Sequence, residues 1–142
     1  MKFAPLLALS VFACAQAAEV QFNRDIRPIL SDRCYTCHGP DKNQRKSKLR
    51  LDIESEAKSD LGGGKRAIIA GDPEHSTLVQ RVESQNKTLR MPPAYLGHER
   101  LKDAEIAALK RWIAEGAHYQ SHWSFIAPVK ADLPSVGQTG WV

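Results

Sequence analysis

Cys34-Tyr35-Thr36-Cys37-His38 is the stretch that decides how this chain is read. Two cysteines three positions apart on one helical turn can each add to a vinyl group of one porphyrin. The adjacent His38 then reaches the iron from the same side, so the pattern reads as covalent attachment of a c-type haem. Three other chemistries compete for it. A structural zinc site needs four ligands, and the chain has no second cysteine pair. A thioredoxin-like redox pair wants a βαβ setting, which the flanks do not supply. A disulfide across two intervening residues closes too short a loop to constrain the chain.

Working outward, the axial ligand opposite His38 follows from a count. The chain has two methionines, and Met1 belongs to an N-terminal leader. Met91 is then the available thioether, in Arg90-Met91-Pro92-Pro93, where the prolines fix φ and present the side chain from an extended loop. His75 or His98 is the alternative, giving a bis-histidine haem of lower potential. An open sixth position would suit a peroxidase or a gas-binding protein. His38 should offer Nε2 to iron and keep its Nδ1 proton for a carbonyl, for which Pro40 is the expected acceptor. Tyr35 and Trp112 could border the haem or simply pack in the core. Lys42, Arg45, Lys46, Lys48 and Arg50 form a basic loop: a solvated loop, a docking surface for an acidic redox partner, or a partner for haem propionates.

The leader is Met1 to Ala17: Lys2 is its positive region, Phe3 to Ala13 its apolar region, and Ala15-Gln16-Ala17 its small-x-small cleavage site. Residues 1–17 therefore read as a signal peptide, and the protein as exported and periplasmic. Lipid attachment at Cys14 is the alternative, although Phe12 fits such a signal poorly. The whole chain of 142 residues carries 20 Lys+Arg against 16 Asp+Glu, is 42% hydrophobic and 25% charged, and has three cysteines. That is the composition of one folded domain. Its net charge of +4 is too mild to argue for nucleic acid. No apolar run reaches the ~20 residues that span a bilayer.

Periodicity predicts short helices between long loops. Phe22, Ile26, Ile29 and Leu30 imply a helix over 23–33, capped by Asn23 and with Pro28 near its start. Leu49, Leu51 and Ile53 alternate with Arg50 and Asp52, which suggests a short extended or strand-like segment. Residues 54–61 suggest a brief helix, and Asp72-Pro73 opens another that runs to about 82. The strongest helical pattern covers 103–115, with Gly116 at its left-handed exit.

Taken together, these residues resemble the planctomycete-type cytochrome c domain. The likeness rests on Phe22 to Leu30, Cys34 to Pro40, Leu49 to Asp52, Gly71-Asp72-Pro73, Ser76 to Val79, Arg90 to Pro93, and Glu105 to Ala117. It covers about residues 20–118. The resemblance implies an all-α, class I-like cytochrome c fold, with short helices and long loops wrapped around one covalent haem. Cys34 and Cys37 would be the thioether positions, and His38 and Met91 the iron ligands. Lys102 departs from the pattern, which usually carries a helix cap such as serine there. The implied function is single-electron transfer; the alternative is the haem domain of a larger oxidoreductase or a peroxidase-like enzyme. The implied partners are redox proteins or a downstream domain, with the domain itself monomeric. Residues 18–120 would be the cytochrome domain, and 121–142 a linker, since His122 to Phe125 with Pro128 and Pro134 looks like the junction in multidomain members.

Overall fold

The computed structural model describes residues 18–131. The expected leader 1–17 and residues 132–142 of the expected linker lie outside them. Among the described residues there are five α-helices and no strand: α1 (Arg27–Arg33), α2 (Tyr35–His38), α3 (Glu54–Ala57), α4 (Thr77–Glu83) and α5 (Asp103–Ala114). A π-helical turn, Phe22–Ile26, leads into α1, and 3-10 turns span Ala94–Leu96 and Trp123–Phe125. The all-α expectation holds.

The first helical stretch buries Phe22, Ile26 and Leu30, which stand four residues apart on one face. Pro28 lies in the first turn of α1, where its missing N–H has no helical partner to lose. Asn23 does not cap the helix as expected. The chain enters one residue earlier, with extended Gln21 as N-cap, and the Asp25 carboxylate accepts from the Gln21 N–H at 2.8 Å. Asn23 instead donates to the Ser121 carbonyl at 2.8 Å and accepts from Arg27 Nε at 2.8 Å.

α5 closes the core. Ile106, Leu109, Trp112 and Ile113 are buried along one stripe. The helix begins at Asp103 despite the missing cap at Lys102, because the Glu105 carboxylate reaches back to the Lys102 N–H at 2.7 Å. At its other end Gly116 takes φ 102°. There Gly116 donates to the Ile113 carbonyl and Ala117 to the Trp112 carbonyl, the paired bonds of a Schellman ending. Phe22, Trp112 and Tyr119 form an aromatic cluster with ring centroids 4.5 to 5.5 Å apart. Trp112 Nε1 donates to the His118 carbonyl at 3.0 Å, so burial leaves its polar atom satisfied. Trp112 is thus a core residue.

Two segments differ from expectation. α4 starts at Thr77, not at Asp72-Pro73. The Asp72 carboxylate accepts from the His75 backbone at 3.2 Å, and Ser76 Oγ donates to the Asp72 carbonyl at 2.8 Å. These local bonds hold a turn in place of a first helical turn. Residues 49–53 form no strand, since the Leu51 N–H is bound to the His38 carbonyl at 2.8 Å rather than to a neighbouring strand. The helix expected over 54–61 stops at Ala57, whose carbonyl accepts from Ile68.

Candidate functional site

The Cys34–His38 motif folds as a single helical turn. The Cys34 carbonyl accepts from the Cys37 N–H at 3.1 Å and from the His38 N–H at 2.8 Å. Gly39 follows because nothing larger fits: a Cβ there would lie 2.3 Å from the Tyr35 carbonyl oxygen and 2.7 Å from Tyr35 Cβ. The close approach depends on how the chain folds back, which the sequence alone does not mark. The basic loop is then fastened onto the motif by main-chain bonds, Lys46 N–H to the Cys37 carbonyl at 3.1 Å and Leu51 N–H to the His38 carbonyl at 2.8 Å. Tyr119 adds a latch from the C-terminal side by donating its hydroxyl to the Leu51 carbonyl at 3.0 Å.

In front of this turn lies a cavity of about 660 Å³. Cys34, Cys37, His38 and Met91 all line it, although Met91 is more than fifty residues from the motif. Leu49, Leu51, Leu78 and Val82 supply apolar wall. Of the alternative histidines, His98 lines the same cavity. His75 does not, and its Nδ1 lies 2.7 Å from an Asp72 carboxylate oxygen on the surface. Tyr35 packs against the core instead of lining the cavity.

The Met91 side of the cavity is a loop hung on α4. The Met91 N–H donates to the Arg81 carbonyl at 2.9 Å, and Arg81 Nη1 donates to the Leu89 carbonyl at 3.0 Å. Arg90 Nη2 donates to the His98 carbonyl at 2.8 Å. Arg81, Thr77 and Lys65 border the cavity without any sequence pattern that would have marked them.

The electrostatics of the motif are those of a dry site. Burial pushes the Cys34 thiol up to about 12, with the neighbouring Cys37 adding to the shift. Cys34 is therefore a neutral thiol at ordinary pH, whereas zinc binding and disulfide exchange both use the thiolate. Both motif cysteines are free. Among the described residues, no group of three or more His, Cys, Asp or Glu side chains could hold a metal ion. Burial also lowers the basicity of His38, and the Leu49 backbone acts against that shift by favouring the protonated ring. The main-chain group acting on the imidazole's basicity is at Leu49 rather than Pro40, although His38 Nδ1 itself forms no hydrogen bond.

Cations dominate the rim. Arg33, Lys46, Lys48, Lys65 and Arg81 all border the cavity, against Asp32 alone among acids. Arg33 is drawn to Asp32 at 3.0 Å and to Glu105 at 3.6 Å. Among the described residues, Lys46, Lys48 and Lys65 form no ion pair. Arg50, also in the basic loop, is tied to Asp52, with Nε 3.0 Å from Oδ1.

Residues 34–94 match the family model described as planctomycete cytochrome C. Over this segment the chain is similar to a planctomycete-type cytochrome c domain. No curated protein and no solved structure matches the chain. The match opens on Cys34 and closes just past Met91-Pro92-Pro93, so Cys34, Cys37, His38 and Met91 fall inside it while His98 does not. α1 and α5, which both contribute residues to the core, fall outside it. Similarity to that family suggests haem-binding electron transfer with redox partners, and cytochrome c domains are typically exported. Among the described residues no helix is long and apolar enough to cross a membrane.

The residues of this segment fit a haem. The cavity volume lies within the range of about 300 to 1,000 Å³ usual for cofactor sites. Two free thiols and an imidazole converge on it. His38 Nδ1 is buried with no hydrogen-bond partner, the kind of orphaned atom that a ring held through its other nitrogen would turn toward a main-chain acceptor.

Proposed function

We propose that the chain carries one haem c, bound through thioethers at Cys34 and Cys37, with His38 and Met91 as axial ligands. The reading makes it a single-electron carrier with a class I-like cytochrome c fold. The observation that carries it is the convergence of Cys34, Cys37, His38 and Met91 on one cavity from distant parts of the sequence. When bound, the haem supplies an iron centre that changes by one electron and keeps its ligands. The protein's part is to hold that centre dry and in one geometry. Leu49, Leu51, Leu78 and Val82 exclude water, and the Leu49 carbonyl orients His38. A thioether ligand favours the ferrous state and raises the potential. Lys46, Lys48 and Lys65 suit either the propionates of the haem or an acidic redox partner.

The same reading makes residues 1–17 a signal peptide, 18–120 the cytochrome domain and 121–142 a linker toward a further domain, with the mature protein in the periplasm. Attachment of lipid at Cys14 remains the alternative for its anchoring. A second reading is supported by His98, which shares the cavity with Met91. A bis-histidine or open site would suit the haem domain of a larger oxidoreductase.

Optical spectroscopy of protein matured with a c-type haem assembly system, with a pyridine haemochrome assay, separates these readings. A covalent c-type spectrum with the red charge-transfer band of methionine-ligated ferric haem supports the proposal. Met91→Ala should abolish that band and lower the potential. Covalent haem lacking the band, with His98→Ala changing the spectrum, would favour the second reading. A colourless protein would overturn both.

A further inference from the structure

Met91 sits on a loop between α4 and α5, and two bonds tie the backbone around it to one residue of α4. The Arg81 carbonyl accepts from the Met91 N–H at 2.9 Å, and the Arg81 guanidinium donates to the Leu89 carbonyl at 3.0 Å. These two bonds bracket Arg90, so the backbone leading into Met91 is gripped on both sides. Arg81 itself stands on α4, one turn beyond Leu78 and beside Val82, both buried and both lining the cavity. The grip therefore ties this loop to a packed helix. The main-chain bond is open to any residue at position 81. The side-chain bond needs a long, planar, charged donor.

We infer that Arg81 is a positioning residue for the distal ligand, holding the Met91 sulfur where it competes with other ligands for the sixth site. This rests on the haem and Met91 reading above. Arg81 does not touch the reacting centre in this role; it acts through the Leu89–Met91 backbone. Loosening the loop leaves the thioether present but lowers the fraction of time it is in place. An added ligand then binds more easily, by the factor through which the competent geometry is depleted.

The experiment uses the holoprotein and imidazole as the competing ligand, followed by loss of the red band. Arg81→Gln should bind imidazole about five- to tenfold tighter than the parent, the size expected for one lost charge-assisted bond. Arg81→Lys keeps the charge but not the fork, and should behave like Arg81→Gln. Lys87→Gln removes a charge from the same loop at an exposed residue with no side-chain bond, and should leave the affinity within twofold. Arg81 is exposed, so all three variants should fold, and a thermal melt checks this. Parental affinity in Arg81→Gln overturns the inference while leaving Met91 ligation standing. Parental affinity in Arg81→Lys alone assigns the role to charge and also overturns it. A parent protein with covalent haem but no red band overturns this inference and the Met91 reading together.

Discussion

The two sides of the molecule are held together by different means. On the terminal-helix side, Phe22, Ile26 and Leu30 meet Leu109, Trp112 and Ile113, and side chains do the joining. On the cavity side, the motif turn, the 46–51 loop and the Met91 loop are joined through main-chain hydrogen bonds: Lys46 to Cys37, Leu51 to His38, Met91 to Arg81. Charges divide only in part. Ion pairs reach from α5 at Lys110 with Glu74 and Glu83 and at Arg111 with Glu115, and Arg33 pairs with Asp32 at the cavity rim, while among the described residues Lys46, Lys48 and Lys65 on that rim form no ion pair. The first side is built for stability. The second keeps one face free for a ligand and for approach by other molecules.

The contrast can be broken most strongly at Trp112. Trp112→Ala removes the centre of the aromatic cluster and should cost about 3 to 5 kcal/mol in denaturant unfolding. A loss under about 1 kcal/mol would mean that the terminal side is not the stabilising half. Changes on the cavity side should act on the cofactor first. Cys34→Ala with Cys37→Ala should leave haem extractable by acidified organic solvent, where the parent retains it; retention in the double variant would sink the thioether assignment. Gly39→Ala tests the junction of the two sides. The added methyl would meet the Tyr35 carbonyl at 2.3 Å, so the motif turn must shift. The expected cost is about 1 to 3 kcal/mol, with a lower yield of haem-loaded protein.

How far these sides could be read in advance also differs. α5 was legible almost to the residue, because Ile106, Leu109 and Ile113 repeat at helical spacing and Gly116 marks the exit. The motif was legible because five consecutive residues carry its chemistry. The rest of the cavity side was not. Its positions are set by bonds between backbones far apart in sequence, and any residue can make those. Leu49 replaced Pro40 beside the imidazole for this reason, and Arg81 gave no sign of its contact with Leu89. α4 began late because Asp72 and Ser76 spend their side chains on a local turn, a competition that apolar periodicity does not register.

Two smaller tests sharpen the picture. Tyr119→Phe deletes the bond to the Leu51 carbonyl and should cost about 1 kcal/mol. The same change should alter the His38 environment in the spectrum, since Leu51 is bound to the His38 carbonyl. The smallest effect is expected at Asp25, whose carboxyl is lowered to about 2 by the Arg24 guanidinium and the Gln21 N–H. Its contribution is complete above about pH 4, the ordinary aspartate value, and is lost as the pH falls toward 2. Asp25→Asn should flatten that part of the acid-unfolding curve. An unchanged curve would show that the pair is too exposed to matter.

The Tyr119 latch also has a consequence in time. Its hydroxyl reaches a carbonyl 68 residues earlier in the chain, whereas the motif turn closes on bonds spanning three and four residues. Local closures form quickly, and distant ones wait for the chain between them to be organised. A folding chain therefore shapes Cys34 to His38 into a turn before the C-terminal segment arrives to fasten it. Between those two events the thiols are presented together and still reachable, an interval whose length is set by the late half of the sequence.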